Sequence, residues 1–83
     1  MVVIYGRPNC VYCEKARELC VDYKLDYEYR NIVNDVFKSE LKEKVPDAKT
    51  VPQIWMGDRY IGGYTELDTK IENNIRWYRE GTV

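Results

Sequence analysis

A short run of β-formers, Val2-Val3-Ile4-Tyr5, ends at Gly6 and gives way almost at once to an amphipathic repeat that opens on two cysteines, Cys10 and Cys13. An unbroken β-branched and aromatic run closed by glycine fits a strand buried on both faces. From Cys10 onward the apolar positions Cys13, Ala16, Leu19, Cys20 and Tyr23 recur at three- and four-residue steps, with Glu14, Lys15, Arg17, Glu18 and Asp22 filling the opposite side. That period predicts a helix beginning at about Cys10. Pro8 and Asn9 precede it, where a fixed φ and an amide able to cap exposed N–H groups are both useful. A strand that feeds straight into a helix has to come back to its sheet by a right-handed crossover, so the next strand is predicted to lie parallel to the first.

The rest of the chain supplies the other elements. Tyr27-Glu28-Tyr29-Arg30-Asn31-Ile32 partly alternates and reads as the second strand. Asn34 and Asp35 start a second helix with an apolar stripe at Val36, Phe37, Leu41 and Val45, which stops before Pro46. Gln53-Ile54-Trp55-Met56 and Arg59-Tyr60-Ile61 flank Gly57-Asp58, the form of a β-hairpin whose two-residue turn is opened by glycine. Gly62-Gly63 ends the hairpin. Thr65 and Asp68 then resemble a capping box for a last helix with an inner face of Leu67, Ile71, Ile75 and Tyr78 and a stop at Gly81. The order is βαβαββα, an α/β arrangement of three helices around a four-stranded mixed sheet. With 83 residues, 45% of them hydrophobic, and no linker, repeat or low-complexity stretch, residues 1–83 read as one domain.

Composition narrows the chemistry. Thirteen basic and fourteen acidic residues are interspersed, so no basic stripe marks nucleic acid or an anionic membrane as a partner. No apolar run is long enough to span a bilayer, and Met1-Val2-Val3-Ile4-Tyr5 lacks the layout of a signal peptide, so a cytoplasmic location is expected. Three cysteines, an odd number, point to reduced and reactive thiols rather than structural staples. The chain has no histidine, which removes Ser-His and Cys-His base pairs and imidazole zinc ligands.

What remains is C-x-x-C beside a βαβ pattern, a dithiol redox site. A thiolate attacks disulfides, and a cysteine with a pKa of about 8.5 needs help to ionise at neutral pH. Cys10 is placed at a helix N-terminus, where unpaired N–H groups and the helix dipole favour negative charge, with Arg7 near in sequence. Cys13, one turn further in, reads as the resolving thiol. Thr50-Val51-Pro52 is a second constellation. A proline there cannot join a strand ladder, and in the cis isomer it turns the preceding backbone outward, so that the Val51 main chain can pair with a thiol-containing peptide. The third is Gly62-Gly63-Tyr64-Thr65-Glu66, a glycine turn into a helix start that can hold a carboxylate on backbone N–H groups. Together they suggest a small anionic thiol as ligand.

Cys10-Val11-Tyr12-Cys13 with Ala16, Arg17 and Leu19, then Thr50-Val51-Pro52-Gln53-Ile54, then Ile61-Gly62-Gly63-Tyr64-Thr65, occur in an order and spacing that resemble the glutaredoxins, specifically the small dithiol type of bacteria and their viruses. The resemblance covers nearly the whole chain. It implies a thioredoxin fold with a cis peptide before Pro52, glutathione as reducing co-substrate, and disulfide-containing or glutathionylated proteins as substrates, ribonucleotide reductase among them. It implies Cys10 as nucleophile, Cys13 as resolving thiol, and a glutathione groove lined by Arg7, Tyr12, Thr50, Val51, Pro52, Gly63, Tyr64, Thr65 and Glu66. The Val51 backbone would pair with the glutathione cysteine, and the helix start at Thr65 and Glu66 would take the γ-glutamyl carboxylate. A monomer needing no metal is expected. Two positions depart from the family pattern: Val11 stands where proline is more usual, and Glu66 where aspartate is more frequent.

Other readings of the same residues are less economical. A closed zinc site needs four ligands, and here there is one cysteine pair and no histidine. Cys20 falls on the apolar stripe and reads as an inert core thiol. Tyr27, Tyr29, Trp55, Trp77 and Tyr78 read as packing residues, and Arg7, Lys49 and Arg59 as candidate partners for the glycine carboxylate of glutathione. Two alternatives to a glutathione-driven reductase are a redoxin recharged by thioredoxin reductase and a carrier in which Cys10 from two subunits and two glutathiones hold an iron-sulfur cluster.

Overall fold

The computed structural model describes residues 1–79, with side chains described as far as residue 73. The chain runs β1 (Val2–Gly6), α1 (Val11–Asp22), β2 (Tyr27–Asn31), α2 (Asp35–Lys44), β3 (Gln53–Met56), β4 (Arg59–Gly62) and α3 (Tyr64–Arg79). The predicted element order therefore stands. The expected stop at Gly81 and the expected packing of the Ile75, Trp77 and Tyr78 side chains lie outside the described residues.

The four strands form one mixed sheet in the order β2-β1-β3-β4. β1 is parallel to β2, with Val2 opposite Tyr27 and Gly6 opposite Asn31. It is antiparallel to β3, with Ile4 opposite Ile54, and β3 closes the hairpin with β4. Gly57, at φ 60°, opens the turn, a conformation that glycine adopts without steric cost.

β1 sits in the middle, and its period of two sends alternate side chains to opposite layers. Val2 and Ile4 join Ala16 and Cys20 of α1, Leu67 and Ile71 of α3, and Ile54. Val3 and Tyr5 face the other way, toward Leu41, Phe37 and Val45 of the α2 side and Trp55. Hence α1 and α3 cover one face and α2 the other. Ile4 and Ile54 are fully buried in the first layer, each worth about 1.5–3 kcal/mol relative to exposure. Val36 was expected on the apolar stripe of α2 but is 64% exposed. It follows the N-cap Asn34, whose side chain accepts the Val36 N–H at 2.9 Å, and the helix turns inward only from Phe37.

α2 is also tied to the sheet by polar groups. The hydroxyl of buried Tyr5 donates to Glu40 Oε1 at 2.9 Å, while Arg30 Nη1 donates to the Tyr5 oxygen at 2.7 Å and to the same Glu40 oxygen at 3.0 Å. Arg30 Nε also pairs with Glu28, and the guanidinium lies over the Tyr5 ring at 5.4 Å. Each buried polar atom thus finds a partner, and α2 is held in one position against β1 and β2. Burial, reinforced by the Glu40 acceptor, pushes the Tyr5 phenol above its ordinary range.

Candidate active site

The loop from β1 to α1 delivers the cysteines. Glycine at position 6 leaves room for the Tyr29 ring, because a Cβ there would stand 2.3 Å from its hydroxyl oxygen and would have to displace it. With the ring close against Gly6, Tyr29 donates to the Arg7 carbonyl at 3.3 Å and fixes the start of the loop. Asn9 was expected to cap the helix but adopts a left-handed φ of 58°, which asparagine tolerates, and reverses the chain. The N-cap is Cys10 itself: its Sγ accepts the Cys13 N–H at 3.2 Å and its carbonyl accepts the Glu14 N–H at 3.1 Å. The sulfur stands where a serine or aspartate oxygen ordinarily would.

Cys10 and Cys13 form a disulfide with Cα atoms 5.2 Å apart. They differ in exposure. Cys13 is fully buried, whereas Cys10 is half-buried and opens toward the surface. Val11 between them is the first residue of α1 and is 67% exposed. Cys20, the third cysteine, is buried two turns along the same helix, and burial pushes its thiol up, as suits an unreactive core residue.

The segment before β3 comes up against this pair. The Val51–Pro52 peptide is cis, as the resemblance implied, and the Val51 carbonyl oxygen lies 3.7 Å from Cys10 Sγ. In the disulfide that sulfur carries no proton; once reduced, it has one to donate to this carbonyl. A brace that sequence reading missed holds the segment. Gln53, buried, donates from Nε2 to the Thr50 carbonyl at 2.9 Å and accepts from the Tyr60 hydroxyl. Only the hairpin register, which sets Tyr60 beside Gln53 and Trp55, brings these groups together.

The third constellation completes a groove. α3 starts at Tyr64 with Gly63 as its cap, since the Gly63 carbonyl accepts the Leu67 N–H at 3.1 Å. The expected Thr65–Asp68 capping box is therefore two residues out of place. Glu66, at the third helical position, reaches back and accepts the Gly63 N–H at 2.7 Å, the reciprocal half of a capping box. Tyr12 and Tyr64 face each other with ring centroids 5.8 Å apart, and Lys15 Nζ covers the Tyr12 ring at 5.4 Å.

Tyr12, Thr50, Val51, Pro52, Gly63, Tyr64, Thr65 and Glu66 line a single groove of about 200 Å³. These are the predicted groove residues with one exception. Arg7 lines a second cavity of about 370 Å³ on the α2 side, separated from the first by Thr50 and Val51, which border both. Lys49 lines that second cavity too, whereas Arg59 stands at the turn end of the hairpin, paired with Met56 and away from Pro52 and Gly63. A half-buried sulfur bonded to a buried one, beside an open groove, suits disulfide exchange.

Comparison with known proteins agrees. Residues 2–61 match the family model described as glutaredoxin. A glutaredoxin of Vibrio cholerae is 33% identical over 81 residues, covering 89% of this chain and 93% of the relative. Glutaredoxin 1 of Salmonella typhimurium is 34% identical over 83 residues, 92% of this chain and 95% of its own. The structure of reduced Escherichia coli glutaredoxin superposes with a TM-score of 0.75 at 32% identity, over 90% of this chain and 96% of that one.

Proposed function

The chain belongs to the glutaredoxin family, a thiol-disulfide oxidoreductase of thioredoxin fold, and from that premise we propose that it draws its electrons from glutathione and acts through Cys10 as nucleophile and Cys13 as resolving thiol. One observation carries the reading: the sulfur of Cys10 caps α1, accepting the Cys13 N–H at 3.2 Å, and opens beside the groove between Thr50-Val51-Pro52 and Gly63-Tyr64-Thr65. A hydrogen bond to sulfur strengthens when the acceptor carries charge, so this cap favours the thiolate over the thiol.

On a glutathione-mixed disulfide, the Cys10 thiolate attacks the glutathione sulfur. A Cys10–glutathione bond forms, and the protein sulfur leaves as a thiolate that takes a proton from solvent. A second glutathione thiolate then attacks the bound glutathione sulfur, releasing glutathione disulfide and restoring the Cys10 thiolate. On a protein disulfide, Cys10 attacks one sulfur and the Cys13 thiolate then attacks Cys10. The two electrons of the dithiol pass to the target and leave the Cys10–Cys13 disulfide, which two glutathiones reduce.

The groove supplies complementary groups for the small thiol. The Val51 main chain, next to Cys10, suits the cysteinyl part of glutathione. The first-turn N–H groups of α3, which lack carbonyl partners, suit the γ-glutamyl carboxylate, with Thr65 beside them and Glu66 near the amino group. Arg7, in the second cavity across Thr50 and Val51, suits the glycine carboxylate. We place the protein in the cytoplasm as a monomer, with ribonucleotide reductase among its acceptors.

A glutathione-reductase-coupled assay on a glutathione-mixed disulfide tests the reading. Cys10→Ser loses turnover on every substrate, whereas Cys13→Ser keeps mixed-disulfide reduction and loses most of the protein-disulfide route. Near-normal turnover by Cys10→Ser, or recharging by thioredoxin reductase as fast as by glutathione, would overturn it.

A further inference from the structure

Residues 49–52 make no backbone–backbone hydrogen bond among the described residues, so no strand ladder fixes the Val51 carbonyl at its 3.7 Å from Cys10 Sγ. The polar group that reaches this segment from the sheet is the Gln53 amide, which donates from Nε2 to the Thr50 carbonyl at 2.9 Å. Among the described residues Gln53 is the only amide or charged side chain that is buried. Burying an amide is unfavourable unless its groups are paired, and an apolar side chain of the same shape would pack there at little cost. The use of the amide therefore lies in what it holds. Its pairing is directional: a carbonyl can only accept, so the NH2 end faces Thr50, and Oε1 is left to the Tyr60 hydroxyl, which donates to it. Tyr60 is fixed in turn by aromatic packing, with its ring 5.0 Å from Trp55, which meets the fully buried Tyr5 ring edge-on at 5.4 Å. Gln53 stands opposite Tyr5 and Trp55 opposite Tyr60, so the four side chains share one face of the sheet and link its central strand to the loop at the sulfur.

We propose that Gln53 and Tyr60 are positioning residues for disulfide exchange: the Tyr60 hydroxyl orients the Gln53 amide, and the amide holds the Thr50–Val51 main chain where a thiol-containing peptide pairs with it beside Cys10. Neither side chain touches the reacting sulfurs. Their effect is confined to substrates that have peptide groups to pair with Val51. This assignment rests on the reading of glutathione as the small thiol and adds to it the residues that keep its main-chain partner in place.

The test mixes the reduced protein with glutathione disulfide or with 2-hydroxyethyl disulfide, which carries no peptide group. In each case the Cys10 thiolate attacks one sulfur, a mixed disulfide forms, and the other half leaves as a thiolate that takes a proton from solvent. Quenched-flow mass spectrometry gives the two rate constants, and N-acetylcysteine gives their ratio for an unassisted thiol. Tyr60→Phe keeps the ring on Trp55 and loses the hydroxyl, while Gln53→Met keeps the length of the side chain and loses both polar ends. Each lowers the rate constant with glutathione disulfide about threefold to tenfold, the size of one net hydrogen bond, and raises KM rather than lowering kcat in the coupled assay. The rate with 2-hydroxyethyl disulfide stays that of the wild type. Val2→Ala, a core truncation at the far end of β1, lowers stability and leaves the ratio of the two rates unchanged. Backbone order parameters of the reduced protein, which need no substrate, fall at Thr50 and Val51 in both brace variants. A wild-type ratio equal to that of N-acetylcysteine would sink the glutathione reading alone, because the order parameters still report the brace. Equal losses on both disulfides, or order parameters at Thr50 and Val51 that stay at their wild-type values, would overturn the positioning assignment.

Discussion

Glu66 Oε1 accepts the backbone N–H of Gly63 at 2.7 Å, so the carboxylate at the rim of the small-thiol groove also caps the helix that forms its wall. Glu66→Ala removes both roles, costing about 1 kcal/mol of stability and raising KM for the glutathione-mixed disulfide. Glu66→Gln keeps an acceptor for Gly63, so its urea midpoint stays near that of the wild type while KM still rises. Urea unfolding and steady-state kinetics on the pair separate cap from ligand contact.

Cys10 is the half-buried sulfur that receives an N–H, while Cys13 and Cys20 are fully buried. In the reduced protein at pH 7, iodoacetamide is expected to label Cys10 first, with Cys20 unlabelled until the protein unfolds. Peptide mapping of the alkylated protein over time checks the order.

Gly6 and Tyr29 are coupled through the tip of the ring, since a Cβ at position 6 would approach the hydroxyl oxygen to 2.3 Å and the carbon that bears it to 2.7 Å. Gly6→Ala should destabilise by about 1–3 kcal/mol as the ring is displaced. Tyr29→Phe loses the bond to the Arg7 carbonyl at a cost of about 0.5–1.5 kcal/mol. Because the second change deletes the nearest of the clashing atoms and leaves the ring carbon at 2.7 Å, the clash is eased but not removed, and the double variant is expected to be more stable than the sum of the two predicts. A double-mutant cycle by denaturant unfolding measures that coupling.

Burial raises the Cys20 thiol above 9.0 and the Tyr5 and Tyr29 phenols above 10.0. In the unfolded chain these groups ionise first, so their contribution to stability is complete below about pH 8.5 and is lost as pH rises through the folded values. Stability is therefore expected to be level on their account near neutrality and to fall on the alkaline side, by up to about 1.4 kcal/mol per pH unit for each group in transition. Cys20→Ala flattens the first part of the fall, which thermal unfolding between pH 7 and pH 10.5 reveals.

Local patterns were enough for the strands and helices, because each has a clean period and a marked end: Gly6 closes β1, Asn34 caps α2 and Gly57 opens the hairpin turn. The groove was legible too, since its residues come from three short stretches with distinct turn chemistry. Caps were harder. Asn9 and Thr65 have the usual capping side chains, but Cys10 and Gly63 take the position because the helices begin one residue later and two residues earlier than the pattern suggested. The Gln53–Tyr60 brace, the Arg30–Tyr5–Glu40 network and the cavity on the α2 side depend on residues far apart in sequence meeting across strands and layers.

Val11 is the first residue of α1 and projects into solvent between two sulfurs whose surroundings are otherwise fixed by the core. A side chain there has few neighbours to disturb, and its amide belongs to the first turn, where no helical carbonyl needs it. Even proline can be accommodated. Natural variation and laboratory libraries can therefore move through many residue types at this one place, between the two sulfurs, while the scaffold stays the same.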